Sequence, residues 1–148
     1  MSLILIACLN CRRTRWVLNK KFVQAIRADE VAPGGMRAVE LEGREIVVCN
    51  WSGKYFAIQR RCGHMNAPLD MGTLDGKFVT CAMHCAQFDV TTGEALSGPV
   101  SEDFGGESPP PKITEYLEHI VMQMKHVRME SISTYDTKAE AGWVLVAL

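Results

Sequence analysis

Residues 62–69 read Cys62-Gly63-His64-Met65-Asn66-Ala67-Pro68-Leu69, and residues 81–89 read Cys81-Ala82-Met83-His84-Cys85-Ala86-Gln87-Phe88-Asp89. Sixteen residues, with turn signals at Gly72 and Asp75-Gly76, separate the Cys62-Gly63-His64 motif from Cys81-Ala82-Met83-His84. Each motif offers one thiolate and one imidazole, ligands that suit zinc, copper or an iron–sulfur cluster. A zinc finger normally pairs Cys with Cys and His with His in separate knuckles. Here each knuckle is mixed, Cys first and His second. That order suits a two-metal cluster, with both thiolates on one iron and both imidazoles on the other. A tetrahedral zinc site and a pair of unrelated buried thiols are the competing readings.

Outward from these motifs the chain shows short β-type runs between turn residues. Phe22 to Ile26 and Met36 to Leu41 fit strands, with Pro33-Gly34-Gly35 as a turn between them. Glu42-Gly43 turns into Glu45 to Cys49, and Ser52-Gly53 turns into Tyr55 to Ile58, which predicts a hairpin. Thr92-Gly93 marks a further turn. Thr134 to Ala139, a turn at Gly142 and Trp143 to Leu148 predict a terminal hairpin. Spacing of this kind predicts an all-β antiparallel sandwich or small barrel. One segment breaks the rhythm. Behind a Gly/Pro loop at 105–111, Ile113, Tyr116, Leu117, Ile120, Val121, Met124 and Val127 recur at helical spacing and predict one extra α-helix near 112–128.

The chain has 148 residues, 47% of them hydrophobic, and a formal net charge of −1. That is one ordinary domain with core enough to fold without disulfides. A near-zero charge without a long basic run argues against nucleic acid as the main partner. The longest apolar stretch, Leu3 to Leu9, is far short of a membrane span. The Arg12-Arg13 pair lacks the apolar region a twin-arginine signal needs, so the expected setting is cytoplasmic. There, six cysteines (Cys8, Cys11, Cys49, Cys62, Cys81 and Cys85) point to metal or redox chemistry before disulfides. Cys8 and Cys11 have metal spacing but no second pair, so they read as ordinary thiols. His119, Met122 and His126 read as a solvated helix face, and Trp51 and Trp143 as packing residues of the sheets.

Residues 62–99 resemble the cluster-binding half of Rieske [2Fe–2S] ferredoxins, the low-potential carriers that feed aromatic-ring dioxygenases. The shared features are the two Cys/His motifs, the Ala67-Pro68-Leu69 step, Gln87-Phe88-Asp89, the Thr92-Gly93 turn and the Gly98-Pro99 loop. Thr134-Tyr135, Lys138, Glu140, Gly142 and Val144-Leu145-Val146 resemble the closing hairpin of that family. The resemblance implies a Rieske fold, with antiparallel base sheets and an inserted cluster-binding subdomain at about 60–100. It implies a domain over 21–148, preceded by an extension at 1–20 and interrupted by a helical insertion at about 103–132. It implies one [2Fe–2S] cluster held by Cys62, His64, Cys81 and His84. The family usually has Gly at the places of Asn66 and Cys85, Pro at Ala82 and an aromatic residue at Met83. Asn tolerates left-handed dihedrals; a side chain at Cys85 is strained if φ is positive there.

The resemblance also bears on potential. High-potential Rieske proteins of cytochrome bc complexes bridge their cluster loops with two extra cysteines, where this chain has Ala67 and Met83. They also place Ser and Tyr hydroxyls near the cluster, where this chain has Ala86 and Phe88. The expectation is a potential at the low end of the Rieske range, about −150 to +300 mV. The implied function is a soluble carrier passing single electrons from a reductase to an oxygenase-like acceptor. It has no catalytic residues of its own, no nucleic-acid partner and no membrane span. Accessory subunit of a larger reductase and zinc-stabilised binding module are the alternative functions.

Overall fold

Ile46-Val47-Val48-Cys49 is an unbroken apolar run, and all four residues are 0% exposed. A strand covered on one face alternates apolar and polar residues, so a continuous run means cover on both faces. The computed structural model, which describes residues 20–97, 122 and 127–148, supplies that cover. Strand β3 (Arg44–Trp51) runs between β2 (Met36–Leu41) and β4 (Lys54–Gln59), and β9 (Thr134–Tyr135) completes a sheet of order β2-β3-β4-β9. Val47 and Cys49 enter one core, while Ile46 and Val48 enter a second on the opposite face.

The second core lies against a three-stranded sheet in which β11 (Trp143–Ala147) is flanked by β1 (Phe22–Arg27) and β10 (Thr137–Glu140). The first core lies against a four-strand meander made of β5 (Thr73–Asp75), β6 (Phe78–Thr80), β7 (Gln87–Asp89) and β8 (Ala95–Ser97). Every strand pairing among the described residues is antiparallel. The all-β expectation is met. The hairpins at Glu42-Gly43 and Ser52-Gly53 have positive φ at both residues of the turn, as does Ala141-Gly142. Turns of that hand match the right-handed twist of the paired strands.

The stretch expected as one strand, Thr134 to Ala139, divides at Asp136. Thr134 and Tyr135 pair with β4, whereas Thr137 to Glu140 pair with β11. The Asp136 carbonyl accepts a bond from the Ala147 amide, so this residue passes the chain from one sheet to the next. Trp51 and Trp143 sit half-buried at strand ends, the first 6.1 Å from the Phe56 ring and the second beneath the Arg27 guanidinium. Cys8, Cys11, His119, His126, the Gly98-Pro99 loop and nearly all of the expected 112–128 helix lie outside the described residues.

Gly72 marks where the meander backs onto the second Cys/His motif. A Cβ built there would sit 1.9 Å from the Thr80 carbonyl oxygen and 3.2 Å from the Ala82 amide nitrogen. Overpacking against backbone has no flexible side chain to displace, so Gly72→Ala is expected to cost about 3 kcal/mol. At Gly76 a Cβ meets nothing within 4 Å but must take φ +57, so Gly76→Ala is expected to cost about 1 kcal/mol. Urea denaturation of both variants checks the ranking; a Gly72→Ala protein as stable as Gly76→Ala would contradict it.

Candidate functional site

The two Cys/His motifs fold into matching loops. The Cys62 amide donates to the Ala67 carbonyl at 2.9 Å, and the Asn66 amide donates back to the Cys62 carbonyl at 3.0 Å. In the other loop the Cys81 amide donates to Ala86 O at 2.9 Å, and the Cys85 amide to Cys81 O at 3.1 Å. Asn66 and Cys85 occupy the same turn position, with φ of 61° and 59°. The departures at Asn66 and Cys85 therefore fall on left-handed residues, where a Cys side chain costs more than Gly. Between Cys and this turn residue, one loop carries His64-Met65 and the other Met83-His84. The order is exchanged, but each loop presents one imidazole and one thioether.

The structure brings the four expected ligand residues together as two pairs, Cys62 with Cys81 and His64 with His84. Cys62 and Cys81 are 4% and 2% exposed and lie in the first core. Burial pushes the Cys62 thiol up, and the backbone N–H groups of His64 and Met65, aimed at its sulfur, pull it back down. The Cys81 thiol lies within hydrogen-bonding reach of it. The His64 and His84 rings meet edge to face, with centroids 5.0 Å apart. Burial first, and His84 second, hold the His64 pKa below the ordinary imidazole value; a neutral ring is the form that binds metal. His64 Nε2 is buried without a hydrogen-bond partner. Buried polar atoms are rarely left so. Among the described residues, no three His, Cys, Asp or Glu side chains converge as they would around a single ion. The donors form a thiol pair and an imidazole pair, which fits a cluster of two metals.

A brace of charges fixes the first loop to the middle sheet. Arg61, directly before Cys62, grips Glu45 of β3 through Nε at 2.6 Å and Nη2 at 2.8 Å, and its Nη1 reaches the Asn66 carbonyl at 3.4 Å. Arg60 joins Glu45 at 2.9 Å to Asp70 at 2.7 Å. The hydrogen bond from Arg61, followed by the one from Arg60, outweighs burial and holds the Glu45 carboxyl below its usual range. Across the meander, buried Asp89 accepts bonds from Lys77 Nζ at 2.7 Å and from the Thr91 amide and hydroxyl.

Two residue groups escaped the sequence reading. Residues 129–133 run against the first loop, and the Gln59 side chain ties them to it. The only sequence signal was Gly63, a glycine between Cys62 and His64 with no turn to make. The remaining cysteines differ from the pair in the site. Cys49 is fully buried, which pushes its thiol up to about 12, while Cys85 is exposed. A thiolate is the reactive form, so iodoacetamide is expected to label Cys85 in the native protein and Cys49 only after unfolding. Peptide mass spectrometry reads this directly; labelling of Cys49 at the rate of Cys85 in the native fold would contradict the packing.

The family model described as "Rieske [2Fe-2S] domain" matches residues 21–116. The chain is 31% identical, over 83 residues, to the ferredoxin component of the naphthalene 1,2-dioxygenase system of Pseudomonas putida; the match covers 56% of this chain and 80% of that protein. It is 37% identical over 82 residues to the biphenyl dioxygenase ferredoxin subunit of Pseudomonas sp. strain KKS102, covering 55% of this chain and 75% of the other. The fold is also that of the ferredoxin of carbazole 1,9a-dioxygenase from Nocardioides aromaticivorans IC177. Its TM-score is 0.63 at 23% identity, with 85% of this chain and 96% of that one covered. No helix among the described residues is long and apolar enough to cross a membrane.

Proposed function

This chain belongs to the Rieske [2Fe–2S] family, and from that premise we propose that it is a one-electron carrier between a reductase and an oxygenase-like acceptor. A bound cluster would supply a one-electron couple. Cys62 and Cys81 would hold one iron and His64 and His84 the other, and such a transfer asks no residue of the chain to act as nucleophile or general base. The observation that carries this reading is the pair of loops with matching hydrogen bonds, which bury two thiols side by side and bring two imidazoles edge to face.

The protein's own work is to bind, shield and present. The N–H donors of His64 and Met65 favour anionic sulfur at Cys62. The surrounding core, with Leu69, Val79, Phe88 and Ile132 each at most 4% exposed, keeps water from the thiol side. Neither loop contains a charged residue between Cys62 and Ala67 or between Cys81 and Ala86. Met65 and Met83, 52% and 65% exposed, rim the histidines. A partner meets an uncharged, deformable face there, and Met adapts readily to varied surfaces. We assign 21–148 as the Rieske domain, about 60–100 as its cluster-carrying subdomain, 1–20 as an extension and about 103–132 as an insertion.

The test is metal analysis joined to EPR of the anaerobically reduced protein. About two irons and two acid-labile sulfides per chain, with a reducible signal, are expected. Stoichiometric zinc without iron would refute the assignment.

A further inference from the structure

Gln59 ends strand β4, three residues before Cys62, and its side chain is used at both ends. Its Oε1 accepts the Ser133 amide at 3.0 Å, and its Nε2 donates to the Arg61 carbonyl at 2.6 Å. The two contacts agree on which end of the amide is oxygen, because an N–H can only meet the oxygen and a carbonyl only the NH₂. The Gln59 amide in turn donates to the Ser133 carbonyl at 2.8 Å. One residue thus clasps Ser133 with its backbone and side chain and anchors the peptide that leads into Cys62.

The segment it clasps lies flush on the site. The Glu130 amide donates to the Gly63 carbonyl at 3.1 Å, between the ligand residues Cys62 and His64. The Ile132 amide donates to Gly93 O at 2.8 Å, and Ser131 Oγ lies 3.4 Å from the Ala95 amide. A Cβ at Gly63 would stand 1.9 Å from the Glu130 carbonyl oxygen, and one at Gly93 equally close to that of Ile132. Gly63 does not take a positive φ, so its glycine answers to close approach, not to turn geometry. Ile132 is buried in the core that holds Cys62 and Cys81, and Met129 packs against it.

We propose that Gln59 is a positioning residue for the first ligand loop, acting through Arg61 O on one side and through the strap of residues 129–133 on the other. The proposal rests on the ligand assignment above. Groups that orient the ligands of a metal centre tune it without touching the metal, and the potential and spectrum of a Rieske centre respond to such surroundings. The brace from Arg61 to Glu45 fixes the loop toward the middle sheet, while Gln59 fixes it toward the strap. The His64 loop is thereby held from two directions, whereas the His84 loop leans on the meander at Gly72.

Gln59→Met keeps length and neutrality while deleting both side-chain bonds, so it adds no charge that would itself move a potential. Tyr55→Phe, which removes a 2.9 Å bond from Tyr55 Oη to Ala28 O in the other core, is the control. The full-length, cluster-loaded proteins are compared by iron content, EPR of the reduced state, midpoint potential and iron loss to a chelator. For Gln59→Met, the expected result is near-normal iron on isolation with altered g-values, a shifted potential and about tenfold faster iron release, the scale of one or two lost hydrogen bonds. Tyr55→Phe is expected to match the unsubstituted protein in all four. Gln59→Met with unchanged g-values and potential overturns the proposal, even if it is less stable. Should Gln59→Met not fold, Gln59→Asn, one methylene too short to span Ser133 and Arg61, is read the same way. Absence of iron from the unsubstituted chain would instead refute the ligand assignment, a failure visible before any variant is made.

Discussion

Cys81→Ala is expected to yield a protein with no cluster, and Cys49→Ala one with a full complement of iron. The two cysteines are matched in everything but chemistry: Cys81 is 2% exposed, Cys49 0%, and both lie in the same core. Removing either sulfur leaves a comparable small hole, at a cost of about 1 kcal/mol. Packing alone therefore cannot separate the variants. Cys49 stands behind the site on β3 with a thiol held neutral by burial, whereas Cys81 faces Cys62 across the gap between the loops. Loss of one of two thiolates leaves an iron without the soft ligands it requires. His64→Ala and His84→Ala are expected to abolish or badly distort the spectrum as well. Visible absorption and iron analysis decide the matter, and an intact cluster in Cys81→Ala would remove the central assignment of this chain.

Restoring two hydroxyls beside the cluster, as Ala86→Ser with Phe88→Tyr, is expected to raise the midpoint potential by roughly 100 mV. Both positions are 0% exposed and both side chains belong to the core of Cys62 and Cys81. A hydrogen bond to a charged group contributes about 1.5–3 kcal/mol. If half of that discriminates in favour of the reduced state, two donors supply roughly 1.5–3 kcal/mol in all. With 59 mV for each tenfold step in a one-electron couple, or about 1.4 kcal/mol, the sum is near 100 mV. Burial sharpens the outcome. A hydroxyl that finds no acceptor here costs about 1–3 kcal/mol and would appear as a lowered melting temperature without a change in potential. Redox titration of the single and double variants separates these results; a potential unmoved by both substitutions would show that these positions do not address the cluster.

The strands were legible because their apolar residues alternate or run on between turn residues with a fixed hand, as at Ser52-Gly53. The two Cys/His loops were legible as a candidate site because each motif sets one thiolate close to one imidazole, and the positive φ of Asn66 and Cys85 follows from one shared turn. The break at Asp136 was not, because a strand that changes sheets keeps the residue preferences of one that does not. The strap was not legible either. Met129 and Ile132 enter the core from an irregular segment, without the periodic neighbours that mark a strand or helix. Gln59 could not be singled out, since its two partners, Arg61 O and Ser133 N, are backbone atoms common to every residue. A glycine at Gly63 that no turn requires was the one visible trace of that contact.

The topology also orders events during folding. The meander β5-β6-β7-β8 joins neighbours in sequence, so each pairing closes only a short loop and forms quickly. The β1–β11 ladder joins Phe22 to Ala147 and Arg27 to Trp143, contacts about as far apart in sequence as the chain allows. Their loop-closure entropy must be met before the second core rewards it. Local hairpins are thus expected to precede closure of the sheet that seals Ile26, Val144 and Val146. During synthesis the meander beside Cys81 pairs early, whereas the core of Cys62 and Cys81 closes only when Ile132 and the strap emerge, shortly before β1 meets its partner.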